Sequence, residues 1–336
     1  MKIADISLPE YPLFLAPMED ITDPSFRMVC KAQGADVMYT EFISADGLIR
    51  EGEKSVKKLD IFDYERPIGI QIYGHLIDAM VEAARIAEEA VPELIDINFG
   101  CPMKKIANRG AGAGMLRNVP QMIEMTKAIV LTVNLPVTVK TRLGWDDDSK
   151  NIVEVAEQLQ DTGIKAIAIH GRTRAQLYKG NADWTLIGNV KNNPRMKIPV
   201  IGNGDINSPL RAKEMFDRYG VDGIMIGRAT VGRPWIFKEI KTYLKTGELL
   251  PEPTVDEKAD IALFHLEKSL EFKEGKRALF EMRRHLSNYF KGLPHFKDTR
   301  LRLVTAVEVD EIKSIIEEIR SRWGDFRTED KTSIYE

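Results

Sequence analysis

The chain has 336 residues, 43% of them hydrophobic, with two cysteines and a formal net charge of −3. That length suits about two domains, or one barrel with an appendage, and buries a core large enough to fold without disulfides. Two cysteines exclude a disulfide scaffold, no apolar run reaches the roughly 18 residues of a membrane span, and Met1–Pro9 has no leader-like stretch, so a soluble cytoplasmic protein is expected.

From residue 12 to about 240, short apolar runs alternate with longer amphipathic ones. The runs are Leu13–Met18, Val37–Glu41, Ile68–Tyr73, Leu94–Asn98, Val137–Thr141, Ala166–His170, Val200–Asn203 and Gly223–Gly227. They are rich in Ile and Val and do not strictly alternate, as expected of strands buried on both faces. Ile77–Ala90, Gln121–Thr132, Ile152–Thr162 and Pro209–Arg218 read as helices between them. Asp23-Pro24 and Ser208-Pro209 each offer an N-cap with Pro at the first helical position. Eight strand–helix units predict an α/β fold, a (β/α)8 TIM barrel over residues 1–244. A doubly wound open sheet shares the same alternation.

Gly247, Pro251 and Pro253 mark a linker over 245–253. Thr254 to Glu257 reads as a capping box. It opens helical segments near 254–273, 276–291, 297–307 and 309–322, a small C-terminal α-helical bundle over 254–324. The polar stretch 325–336 is expected to be a disordered tail. Between Lys276 and Arg302 lie eight basic and two acidic residues, a local net of +6. Such a patch attracts phosphates or is simply a solvated helix face. Tyr289, Phe290 and Phe296 interleave with it and read as helical core rather than stacking platforms.

The chemistry-bearing residues fall at strand ends. Asn98-Phe99-Gly100-Cys101-Pro102 follows an apolar strand and sets a thiol on a tight turn at its C-terminal end, where reactive groups of a barrel converge. With only Cys30 besides, no metal cluster explains Cys101, and no metal site is expected. The plain alternative is a buried structural cysteine. Met18 after Ala16-Pro17, Glu41, Gln71, Asn98, Lys140, His170, Asn203 and Gly227-Arg228 end the other strands and face the same rim. Gly202-Asn203-Gly204-Asp205 and Gly227-Arg228 follow strands seven and eight, the usual phosphate site of such barrels. Gly110–Gly114 lacks the setting of a dinucleotide fingerprint, and no Walker motif is present. Lys140, inside Val137–Arg142, is costly to bury unless it meets an anion. A reduced flavin, a phosphate or a Schiff-base substrate would each answer, and Cys101 favours redox chemistry.

Together these segments resemble the tRNA-dihydrouridine synthase family, its bacterial B-type branch most closely. The resemblance rests on Ala16-Pro17-Met18 with Thr22-Asp23, on Asn98–Pro102 with Lys104-Lys105, and on Val139–Arg142. It extends through His170-Gly171-Arg172-Thr173-Arg174 with Tyr178 and Gly180, then Gly202–Asp205 and Gly227-Arg228. It spans the barrel and reaches the helical segment. Glu19-Asp20 and Phe99 depart from the family pattern beside the site. The resemblance implies an enzyme holding FMN that reduces the C5=C6 bond of specific uridines in tRNA with NADPH or NADH, acting as a monomer. Hydride would go to C6 and a proton from Cys101 to C5, since a thiol of ordinary pKa, about 8.5, is protonated at neutral pH. Ala16, Pro17, Met18, Gln71, Lys140, His170, Asn203, Gly204, Asp205, Gly227 and Arg228 would hold the cofactor. Asn98, Lys104, Lys105, Arg142, Arg172 and Arg174 would meet the RNA. A flavin barrel for a free pyrimidine needs no basic helical module, and an RNA-binding protein without catalysis needs neither Cys101 nor Lys140.

Overall fold

The computed structural model describes residues 1–273 and 275–328. Eight parallel strands form its centre: β1 Leu13–Leu15, β2 Met38–Tyr39, β3 Ile68–Tyr73, β4 Leu94–Asn98, β5 Val137–Arg142, β6 Ala166–His170, β7 Val200–Asn203 and β8 Gly223–Ile226. They pair in chain order from β2 to β8, and β8 pairs with β1. A parallel bridge of Phe14 beside Val37, with the Leu15 N–H donating to the Val37 carbonyl at 3.0 Å, joins β1 to β2. The ring is nearly closed, which rules out the open doubly wound sheet, whose edge strands lie far apart.

β1 and β2 are shorter than the apolar runs that contain them. Pro17 has no N–H to donate, so the ladder stops before it. Two small elements are invisible to apolar periodicity: a hairpin of Lys2–Ile3 with Ile6–Ser7, and a two-residue strand Ile43–Ser44 beside β3. The hairpin plugs the N-terminal end of the barrel, where fully buried Ile3 meets the interior cluster of Phe14, Leu94, Ala166 and Ile201.

Parity then places the site. Leu94, Ala166, Ala168, Ile201 and Met225 belong to the barrel interior. Side chains two residues apart share a face. Asn98, His170 and Asn203, at the C-terminal ends of the same strands, therefore project to that interior as well.

Around the barrel run α1 Pro24–Ala32, α2 Ile77–Glu89, α3 Val119–Thr132, α4 Ile152–Asp161, α5 Thr185–Lys191, α6 Pro209–Tyr219 and α7 Ile236–Thr246. Their apolar faces and the outward strand residues, such as Ile70, Ile95, Val139 and Ile167, form the main core. The expected caps are made. The Asp23 carboxylate accepts from the Phe26 N–H at 2.9 Å, and the Ser208 hydroxyl accepts from the Arg211 N–H at 3.1 Å.

After α7 ends at Gly247, four helices follow: α8 Val255–Phe272, α9 Arg277–Tyr289, α10 Lys297–Thr305 and α11 Val309–Trp323. The capping box closes at α8, with the Thr254 N–H donating to Glu257 at 2.7 Å. These helices share a second core of Leu266, Met282, Leu286, Ile315 and Ile319. Tyr289, Phe290 and Phe296 lie inside it, at most 6% exposed, which is core packing as expected. The helical region sits against α1: the Phe26 ring packs on His285 at 4.6 Å and His265 at 5.5 Å, and Lys273 pairs with both Asp23 and Glu281. The first residues of the segment expected to fray are held, since Phe326 packs on the second core and its carbonyl accepts from the Val255 N–H at 3.1 Å. Residues 329–336 lie outside the described residues. Among the described residues, no helix is long and apolar enough to cross a membrane.

Candidate active site

The C-terminal ends of the strands enclose a cavity of about 950 Å3. Its wall brings together Ala16, Pro17, Met18, Asn98, Cys101, Lys140, Arg142, His170, Arg172, Asn203, Gly204, Asp205, Gly227 and Arg228. Strand register explains the grouping: Asn98 lies beside Lys140, and Arg142 and Asn203 each lie beside His170.

The turn that carries Cys101 is held from below. The Asn98 side-chain oxygen accepts the backbone N–H of Gly100 at 3.0 Å and of Cys101 at 2.8 Å. Cys101 is 7% exposed. Burial pushes its thiol up, outweighing the Met103 N–H and the nearby charges of Arg142 and Lys140. It is therefore protonated at neutral pH, a group suited to giving a proton rather than attacking as a thiolate.

Burial, with help from the Arg142 charge, pushes Lys140 down to about 8. Its ammonium reaches the Asn203 side-chain oxygen at 3.4 Å and, among the described residues, forms no ion pair with a carboxylate. A buried cation in that position calls for an anion in the cavity. Arg172 grips Asp205 through two hydrogen bonds of 2.9 and 2.7 Å, and Arg228 adds a third at 3.0 Å. Burial works to raise the Asp205 carboxyl, but the Arg172 and Ala182 N–H donors and the two guanidinium charges hold it below its ordinary range. Burial and the surrounding cations push His170 well below its usual value, so its ring is neutral. The Arg172 guanidinium can only donate, so His170 Nε2, 3.3 Å away, accepts.

Glycine is required at one position in β7 and at one in the turn after it. A Cβ at Gly202 would lie 2.0 Å from the Trp184 ring. Gly204 has φ +127°, and a Cβ there would lie 2.7 Å from that of Ala182. Gly204 itself lies on the cavity wall, so bare backbone faces the cavity there. Cations with little counter-charge, bare backbone at two turns and one buried ammonium fit a ligand with a phosphate and a second anionic part, which a flavin mononucleotide has.

Several expected residues lie elsewhere. Gln71 is fully buried behind the wall, its amide nitrogen donating to Asp96 at 2.6 Å and its oxygen accepting from Asn98 at 2.7 Å. Lys104 and Lys105 are exposed on the short Lys104–Ala107 helix, outside the cavity but next to the wall residue Met103. Arg174 stacks on Trp145 at 4.4 Å, with Arg117 at 4.3 Å from the same ring. Arg142 and Arg172 do line the wall, and both donate to groups of the protein. Arg142 serves the carbonyls of Gly100, Thr173 and Leu177 at 2.7–2.9 Å, and Arg172 serves Asp205. Buried guanidinium groups need such acceptors, and through them both side chains brace the loops around the cavity.

The strand-end rule missed Tyr178, Phe42 and Asn207, which lie in the connecting loops. Tyr178 is flanked by the Arg228 and Arg142 guanidiniums at 4.9 and 5.6 Å. Only its place in the family-like segment signalled it. A second cavity, about 650 Å3, adjoins the first through Glu19 and Phe42 and contains Glu41, whose carboxyl burial pushes up to about 6.

The dihydrouridine synthase (Dus) family matches residues 14–320. The chain is 42% identical over 291 residues to tRNA-dihydrouridine synthase B of Pseudomonas putida, covering 86% of each chain. It is 38% identical over 301 residues to a probable tRNA-dihydrouridine synthase of Rickettsia bellii, covering 89% of this chain and 91% of that one. Among solved structures the barrel resembles a 2-naphthoyl-CoA reductase, with TM-score 0.56, 14% identity, and 72% of this chain and 51% of that chain covered. It also resembles a morphinone reductase, with TM-score 0.53, 12% identity, and 72% and 89% covered. Those two likenesses concern the fold. The match over nearly the whole chain and the extent of identity to the two synthases establish that this protein belongs to the dihydrouridine synthase family.

Proposed function

We propose that this protein reduces the C5=C6 bond of uridines in tRNA to 5,6-dihydrouridine, with FMN as resident cofactor and NADPH or NADH as reductant. The observation that carries the reading is a buried thiol, its pKa pushed up by burial, on the wall of a cavity that also presents an ammonium with no ion pair among the described residues: Cys101 and Lys140. A flavin bound there would supply hydride to C6 of the uracil. Lys140, Asn203, Gly204, Gly227 and Arg228, with the Ala16–Met18 segment, would hold it. Cys101 gives its proton to C5, and Asn98 keeps the thiol's turn in place. His170, neutral and bonded to Arg172, lines the wall without adding charge.

A base in folded tRNA must leave its stack to reach such a cavity, at a cost of a few kcal/mol. Contacts outside the cavity offset it. The basic helical segment reaches the rim, where Arg284 donates to the Asp20 carbonyl at 3.5 Å. Lys104 and Lys105 stand exposed near Met103. That substrate places the working enzyme in the cytoplasm.

The test is an anaerobic absorbance spectrum of the purified protein before and after NADPH, with unmodified tRNA then added. Flavin bands that bleach with NADPH and return with tRNA are expected. Bands that bleach but ignore tRNA would transfer the reading to a small-molecule reductase. Failure to bind FMN at all would overturn it.

A further inference from the structure

Asp96 and Gln71 lie behind the cavity wall, fully buried or nearly so. They belong to one line of side chains. Asp96 accepts at one oxygen from the Thr138 hydroxyl at 2.6 Å and at the other from the Gln71 amide nitrogen at 2.6 Å. The Gln71 side-chain oxygen accepts from the Asn98 amide nitrogen at 2.7 Å. The Asn98 oxygen then accepts the Gly100 and Cys101 N–H groups. The two ends of this line are chemically fixed. An ionised carboxylate only accepts, and a backbone N–H only donates. Two amides between such ends have a single arrangement that satisfies every link. Turning either one would set donor against donor or acceptor against acceptor in a buried place.

We propose that Asp96 and Gln71 are positioning residues that set the Asn98 amide. It holds the Cys101 turn and leaves the cavity an N–H donor but no acceptor. Both lone pairs of its oxygen are taken, and one nitrogen hydrogen goes to Gln71, so only the second hydrogen remains for a ligand. The ligand atom opposite Asn98 is therefore an acceptor, such as a carbonyl oxygen of a pyrimidine ring. Asp96 also lies close enough to Lys140 to act on it electrostatically, which ties the line to the buried ammonium. This inference rests on the reading of Cys101 as the proton donor.

The experiment is a charge swap along the line, read on Cys101 itself in the flavin-loaded enzyme. Gln71→Glu puts two carboxylates in contact and breaks the first link. The double variant Asp96→Asn with Gln71→Glu restores it, because the new amide at position 96 donates to the new carboxylate at position 71. Alkylation of Cys101 by iodoacetamide, resolved by mass spectrometry from buried Cys30, reports the turn. Gln71→Glu should speed alkylation, and slow single-turnover reduction of tRNA, by about tenfold each, the rate worth of one ordinary hydrogen bond. The double variant should return both near the wild-type values. Gln71→Met, which removes the amide at similar length, carries the expectation of the single variant should Gln71→Glu not fold. Unchanged alkylation in the single variants, or a swap no better than Gln71→Glu, would overturn the proposal. A wild-type enzyme that ignores tRNA would sink the functional reading instead, and would leave the alkylation comparison standing.

Discussion

Lys140 offers the sharpest test of the cavity as an anion site. Its ammonium, pushed down to about 8, is charged at pH 7 and neutral at pH 9.5. An anionic ligand favours the charged form, so affinity is complete below pH 8 and falls above it, tenfold per unit, until the raised pKa of the complex is reached. A free-state value of about 8 then gives a loss of about thirtyfold between pH 7 and pH 9.5. Lys140→Met removes one partner of a desolvated charge pair, which costs about 2–5 kcal/mol, or at least about thirtyfold in affinity at pH 7. It should also flatten the pH profile. Arg142, pushed by burial only down to about 10, stays charged through most of this window. His170 is already neutral, and Cys101→Ala serves as a control for the thiol. Flavin fluorescence titrations of the apoprotein with FMN from pH 7 to 9.5 provide the measurement. An affinity that is flat to pH 9.5 in the wild type, or a Lys140→Met protein that binds within about threefold of it, would refute the reasoning.

Cys101→Ala should keep FMN binding and NADPH oxidation by oxygen but lose most uridine reduction; unchanged turnover on tRNA would remove Cys101 from the mechanism. Arg283→Glu with Arg284→Glu should weaken tRNA binding and reduce the slope of log affinity against log salt by about one to two. Among the described residues neither guanidinium forms an ion pair, so an unchanged slope would mark the patch as a solvated face. Burial against Phe26 and His265 pushes His285 down to about 4. Below its ordinary 6.5 the unfolded chain takes up a proton that the folded chain refuses, so stability is complete above pH 6.5 and falls as pH drops, by about 3 kcal/mol at pH 4. Urea unfolding of the wild type and His285→Leu at pH 7 and pH 4 should differ in pH sensitivity by that amount; equal sensitivity would show that His285 does not control it.

Much of this molecule was legible before folding. Apolar runs rich in Ile and Val located all eight barrel strands, because a parallel strand covered on both faces must be apolar along its length. Asp23-Pro24, Ser208-Pro209 and Thr254–Glu257 marked helix starts, because a cap is a local hydrogen bond made within four residues. Cys101, Lys140, His170 and Asn203 were legible as rim residues because each ends a strand, and the barrel gathers strand ends. The order of residues along the chain was sufficient for those features.

Partnership was not legible. The strand-end pattern offers Gln71, and the family resemblance Arg142 and Arg172, as groups that meet a ligand, and only the closed barrel supplies the carbonyls, the Asp205 carboxylate and the Asp96–Asn98 line that they also bond. Tyr178 entered the wall because the loop after β6 folds back between Arg142 and Arg228, a matter of long-range packing with no local signature. The state of each titrating group was decided the same way. Cys101 and Lys140 have ordinary pKa values as isolated side chains, and burial among particular charges sets them apart. Sequence alone determined that Cys101, Lys140, His170 and Asn203 stand at the mouth of the barrel, because periodicity and capping act over a few residues. The tertiary structure decided which of them are free to act, because desolvation and hydrogen bonding depend on neighbours distant in the chain.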